Sequence, residues 1–191
     1  MAVRVVIAED EAIIRLDLKE TLEEEGYEVV GETGRGDEAV SLVQDLHPDI
    51  AILDIKMPGM DGLEAAREIA KDRGAAVLIL TAFSQRDLIE QARDAGALAY
   101  LVKPFQRSEL LPAVEVALGR FQEMKALEAE VKGLEDQLET RRLIDRAKGL
   151  LMDKHGLSEN DAFSFVQKSA MSERTTMKAI AQRVIEGEIQ P

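Results

Sequence analysis

The 191-residue chain contains no cysteine and no tryptophan, and only two histidines. Without cysteine there is no disulfide scaffold, no thiol nucleophile and no thiolate zinc site, and the composition fits a reducing compartment. His47 and His155 lie too far apart in sequence to suggest a metal pair. No stretch approaches the roughly 20 apolar residues that a membrane-spanning helix needs. The opening MAVRVVIAED runs straight into a strand pattern and leaves no room for a signal peptide. These absences lead to the expectation of a soluble, cytoplasmic protein with no membrane partner. What is present is 46% apolar residues, enough for a core, and 32% charged residues, which favours exposed helices over a β-sandwich.

The net charge of −13 is unevenly spread. Residues 1–118 hold 12 basic and 24 acidic residues, residues 119–140 hold 3 and 6, and residues 141–191 hold 9 and 7. The last segment is therefore weakly basic at +2, an asymmetry that the whole-chain average hides.

Residues 1–118 alternate between two periods. Short aliphatic runs at Val3–Ala8, Tyr27–Gly31, Ile50–Asp54, Val77–Thr81 and Ala99–Val102 read as strands buried on both faces. Helical stretches fall between them at about 11–25, 36–46, 61–72 and 85–95, with a fifth from about 108. Five βα units in succession predict an α/β fold, a five-stranded parallel doubly wound sheet with helices on both faces. From Ser108, a plausible helix N-cap, the strand signal stops. Met124, Leu127, Val131, Leu134 and Leu138 are spaced 3, 4, 3, 4 and form a heptad stripe. That stripe reads equally well as a dimer seam or as a helix packed on its own domain. The last fifty residues read as three helices, from Arg141, from Ser158 and from about Thr175. Phe163, Met171 and Met177 read as core of that small domain. The expected division is 1–118, a coiled-coil linker helix 119–140, and a small all-α domain 141–191.

In a parallel sheet, chemistry collects at the carboxyl ends of the strands. Here strand one leads into Glu9-Asp10-Glu11, strand three ends in Asp54, strand four in Thr81, and strand five leads into Lys103-Pro104. An Asp after a strand is most often a turn former, and one lysine is most often a solvated charge. Four such features at four strand ends make a stronger signal. Carboxylates brought within ~4 Å repel by a few kcal/mol at an effective dielectric near 20. Such a cluster calls for a cation, and hard oxygen donors select Mg2+.

This arrangement resembles the receiver domain of two-component response regulators, a flavodoxin-like fold, across residues 1–118. The carried residues are the acidic pair Glu9 and Asp10, Asp54 in LDIKMPGMDG, Thr81 in LILTAFS, and Tyr100 and Lys103 in AYLVKPF. The resemblance implies that Asp54 is the phosphoacceptor, that Thr81 and Tyr100 are the switch pair, and that Lys103 is the site cation. It implies Mg2+ held by Asp10 and Asp54, by Glu9 through water, and by the main-chain carbonyl of Lys56. It also implies a cis Lys103-Pro104 bond and a sensor histidine kinase as partner. Haloacid-dehalogenase-like phosphatases also use a strand-end Asp, but need a second Asp two residues on, where this chain has Lys56. The expectation is a signalling protein and not an enzyme.

The tail resembles an ANTAR domain, an RNA-binding output of transcription antitermination. The resemblance lies in Ala147-Lys148-Gly149-Leu150-Leu151-Met152, Gly156-Leu157-Ser158-Glu159, Ala162-Phe163, Ala170-Met171, Thr175-Thr176-Met177 and Ile180-Ala181. With the receiver and linker, the whole chain resembles the actinobacterial ANTAR response regulators. This implies binding to RNA hairpins; the heptad stripe adds the expectation of a homodimer when phosphorylated, with release of a tail masked by the receiver as the competing mechanism. With only Phe163 and Phe165 as aromatics, the tail cannot be a stacking sheet. Candidate RNA contacts are Arg142, Arg146, Lys148, Arg174, Thr175, Thr176 and Lys178. A DNA-binding helix-turn-helix output is the alternative, weakened because the third helix holds only Lys178 and Arg183. A dimerising protein-interaction adaptor is another.

Overall fold

The computed structural model describes residues 2–82 and 86–191. The elements run β1 (Arg4–Ala8), α1 (Ala12–Glu24), β2 (Glu28–Thr33), α2 (Gly36–Leu46), β3 (Ile50–Asp54), α3 (Gly62–Lys71), β4 (Ala76–Thr81) and α4 (Arg86–Asp94). They continue with β5 (Ala99–Val102), α5 (Arg107–His155), α6 (Glu159–Glu173) and α7 (Met177–Glu186). The Phe83-Ser84 that follow Thr81 in the quoted motif, and the residue 85 expected to open the fourth helix, lie outside the described residues. The chain divides into two compact units, Met1–Lys125 and Ala126–Pro191, and α5 contributes to each.

The first unit is the expected flavodoxin-like α/β sheet. Its five strands are all parallel in the order β2-β1-β3-β4-β5. One face packs on Leu18 and Leu22 of α1 and on Leu110, Val114 and Phe121 of α5. The other packs on Ala39 and Val43 of α2, Ala66 and Ile69 of α3, and Ala92 of α4. Near-continuous apolarity correctly marks β3 and β4, which are buried at every position, and β1 almost so. It overstates β2 and β5, which are half-exposed because each is an edge strand with a single neighbour.

Two helix expectations need correction. Ser108 does not cap α5, which already starts at Arg107; the Gln106 N–H is instead taken by the Glu109 carboxylate at 2.8 Å. That is the back-reaching half of a capping box. There is also no new helix at Arg141, since α5 runs unbroken to His155. No glycine or proline falls between Gly133 and Gly149, and the Thr140 hydroxyl bonds back to the Asp136 carbonyl at 2.7 Å instead of capping a new helix, so nothing breaks the helix there.

The second unit buries Ala147 and Leu151 of α5, Ala162, Val166 and Ala170 of α6, and Ile180, Ala181 and Val184 of α7. Half of these are alanines, which bring the helices close but bury little area. The four larger aliphatics contribute roughly 1.5–3 kcal/mol each. Ser158 caps α6, its hydroxyl accepting the Asp161 N–H at 3.2 Å, and Thr176 caps α7, accepting from Ala179 at 3.2 Å. Two expected core residues are outside it: Met171 is 74% exposed and Phe163 41%. Helical spacing from Ala162, Val166 and Ala170 puts Phe165 against the core and turns Phe163 outward.

Candidate functional site

Strand register builds the site. Ala8 pairs with Leu53, Asp54 with Leu80, and Thr81 with Val102, so four strand ends form one row at the carboxyl edge. The chain leaves β1 for β2 on one side and returns to β3 on the other. The crevice at such a reversal is where doubly wound sheets take ligands.

At this edge Glu9, Asp54 and Thr81 are buried, while Asp10 is exposed. Glu9, Asp10 and Asp54 each place a carboxylate oxygen within 4.8 Å of the others. Lys103 Nζ lies 3.0 Å from Glu9 Oε2 and 3.0 Å from Asp54 Oδ1. Asp54 Oδ2 accepts the Lys56 N–H at 3.2 Å, and Glu9 Oε1 accepts the Glu11 N–H at 3.3 Å. Burial pushes the Glu9 carboxyl above its ordinary range, against the opposing pull of Lys103, and the nearby Asp54 charge adds to the rise. Burial works to lower Lys103, but its hydrogen bonds to Glu9 and Asp54 outweigh it and hold the ammonium above its ordinary value. Lys103 thus bridges two of the three clustered acids, and the oxygen-only donor set suits a hard divalent ion.

A cavity of about 530 Å3 opens on this cluster, lined by Asp10, Asp54, Lys56, Thr81 and Lys103 among others. Tyr100 is not brought there. It is 44% exposed and lines a separate groove with Ile89 and Val116. The Lys103-Pro104 bond is cis.

Some contributors carry no recognisable signal in the sequence. Arg15 of α1 donates from Nη1 to the Glu9 carbonyl at 2.5 Å and so tethers the loop after β1; in sequence it is one more helix cation. Gly62 does sit in the quoted PGMDG run. A Cβ there would stand 1.9 Å from the Asp54 carbonyl oxygen, so only glycine lets α3 start against the loop that carries the acid. Asp61 caps that helix, accepting the Glu64 N–H at 2.8 Å.

In the second unit the expected RNA contacts separate into two groups. Lys148 is held by Asp145 at 2.9 Å and Glu159 at 3.0 Å, Lys178 pairs with Glu139, and the Thr176 hydroxyl is spent on its cap. Arg142, Arg146, Arg174 and Thr175 are exposed, and the three arginines have no ion pair among the described residues. Of the heptad stripe, Leu127, Val131, Leu134 and Leu138 are exposed at 47–62%. Met124 instead packs against the core of the first unit.

Comparison with known proteins matches residues 5–115 to the response regulator receiver domain and residues 132–185 to the ANTAR domain. The transcriptional regulatory protein PdtaR of Mycobacterium tuberculosis is 61% identical over 183 residues, covering 96% of this chain and 89% of the relative. The chemotaxis protein CheY of Thermotoga maritima is 42% identical over 115 residues, covering 60% of this chain and 96% of CheY. Among solved structures, the CheX–CheY–BeF3–Mg2+ complex from Borrelia burgdorferi aligns with a TM-score of 0.57 at 30% identity, over 59% of this chain and 86% of that one. A CheY-like receiver domain from Methanospirillum hungatei aligns with a TM-score of 0.60 at 28% identity, over 65% and 99%. No helix among the described residues is long and apolar enough to cross a membrane. The chain belongs to the response regulators that join a receiver domain to an ANTAR domain.

Proposed function

We propose that the protein is a phosphorylation-controlled switch in which Asp54 takes a phosphoryl group from a sensor histidine kinase and the tail binds RNA hairpins to bring about antitermination. The observation that carries this reading is the buried Asp54 carboxylate 3.0 Å from Lys103, with Glu9 and Asp10 oxygens beside it. One Asp54 oxygen attacks phosphorus, the bond from phosphorus to the donor imidazole breaks, and that electron pair stays on the imidazole nitrogen. Lys103 is anchored by Glu9 as well as by Asp54, so it keeps its place as Asp54 turns from carboxylate to acyl phosphate. The Thr81 hydroxyl, in the same cavity, donates to a phosphoryl oxygen, and Tyr100 leaves solvent as Thr81 moves. Asp10, Asp54 and the Lys56 carbonyl would hold Mg2+, with Glu9 acting through water, and the bound ion would supply charge neutralisation at the equatorial oxygens. With Lys56 two residues after Asp54, no carboxyl stands there as a general acid for turnover.

Residues 1–118 serve as receiver, 119–140 as linker and 141–191 as output. The exposed Leu127, Val131, Leu134 and Leu138 support a homodimer formed on phosphorylation. Asp54→Asn should take no phosphate from acetyl phosphate and Mg2+, on a phosphate-affinity gel, while keeping its circular dichroism. Label retained in that variant would move the acceptor elsewhere.

A further inference from the structure

The two aromatic residues of the tail have opposite fates. Phe165 packs against the core, whereas Phe163 is 41% exposed. A half-exposed ring in so small a domain forgoes burial that its neighbours on α6 obtain. It forms one wall of a groove of about 520 Å3 between α5 and α6, with Ile144, Thr140 and Gln137. That volume falls in the ~300–1,000 Å3 range of small-ligand sites.

We propose that this groove receives a single unpaired RNA base, which stacks on Phe163 while Arg141 meets its phosphate. This rests on the RNA-binding reading above and names where one nucleotide goes. Three features favour a nucleotide over another occupant. The first is the ring itself, since every base has a face that can stack on an aromatic side chain. The second is the Gln137 amide, which has no hydrogen-bond partner among the described residues and offers both a donor and an acceptor to a base edge. The third is Arg141, which lines the groove, is exposed and has no ion pair among the described residues, so its guanidinium can meet a phosphate beside the Asp145–Lys148 pair. Only Ile144 and Phe163 are apolar here, too little for a contact between copies of the chain.

The test uses the full-length phosphorylated protein and hairpin RNAs selected from a pool with randomised loops. Phe163→Ala should weaken binding of a selected hairpin about 10-fold or more, and Phe163→Tyr or Phe163→Trp should hold it within about 3-fold. Arg141→Gln should lower the salt slope by ~0.7, one phosphate on a single strand, whereas Phe163→Ala leaves the slope unchanged. Replacing loop bases one at a time with 2-aminopurine should reveal one position whose fluorescence is quenched by the wild type and by Phe163→Tyr. Wild-type affinity in Phe163→Ala, or no quenched position, overturns the proposal and leaves RNA binding standing. Loss of a dimer by sedimentation in Phe163→Ala makes the groove a contact between copies and also overturns it. If no hairpin is retained by the wild-type protein at all, the RNA reading itself fails and this site fails with it.

Discussion

At the scale of single residues, the acceptor site depends on a side chain that is missing. Gly62 lets the first turn of α3 lie on the Asp54 carbonyl, where a methyl group would stand 1.9 Å away. Gly62→Ala should therefore push the loop after β3 outward and cost about 1–3 kcal/mol by overpacking. Phosphorylation of Asp54 should slow along with it. Gly119→Ala on α5 is the control, because nothing lies within 4 Å of its added Cβ. It replaces an exposed helix-interior glycine and should stabilise by about 0.5–1 kcal/mol. Urea unfolding of the two variants checks both signs, and equal effects would remove the special role given to Gly62. Glu9, Asp54, Thr81 and Lys103 are legible in the sequence because each ends or follows an aliphatic strand, and parallel strand ends must share an edge. Arg15 is not legible, because its partner is a main-chain carbonyl and leaves no trace in residue type.

At the scale of elements, strands and caps are readable because their signals are local. Ile50–Asp54 matches the expected run residue for residue, and Ser158 caps α6 as its Ser-x-x-Asp spacing suggests. What fails is whatever depends on neighbours. Edge strands look central when only hydrophobicity is read, and Phe163 looks like core when one position on a helix is misjudged. The heptad stripe shows both sides. Its periodicity is visible in sequence, yet Met124 belongs to the first unit's core while the next four positions are bare. Leu127 and Leu134, 62% and 59% exposed, can be replaced together by lysine without opening a cavity. The double variant should unfold at the same urea concentration as wild type and still take phosphate. Its phosphorylated form should sediment as a monomer where the wild type sediments as a dimer. A monomeric phosphorylated wild type would remove the seam.

At the scale of the molecule, three hydrophobic clusters with no shared members serve one chain, two in the first unit and one in the second. Calorimetry should resolve two transitions, with the alanine-rich second unit melting first, and two-state analysis should fail. Beryllofluoride with Mg2+ at about 100 times its dissociation constant should add about 2.7 kcal/mol to the first unit. That is an upward shift of roughly 10 °C for its transition. A single sharp transition would mean that the cores unfold together. The Lys103 bridge between Glu9 and Asp54 also imposes an order on biosynthesis. A nascent chain that has reached residue 98 already carries Glu9, Asp10 and Asp54 but not the ammonium that reconciles them. Until β5 arrives, the finished edge of β1 and β3 is a cluster of anions that resists closing. Lys103 follows the last strand of the sheet, so the pairing of the four-residue β5 with β4 also sets the ammonium beside Glu9 and Asp54. One short element thus completes both the sheet and the charge balance of its acidic edge, and a chain ending before β5 would have neither.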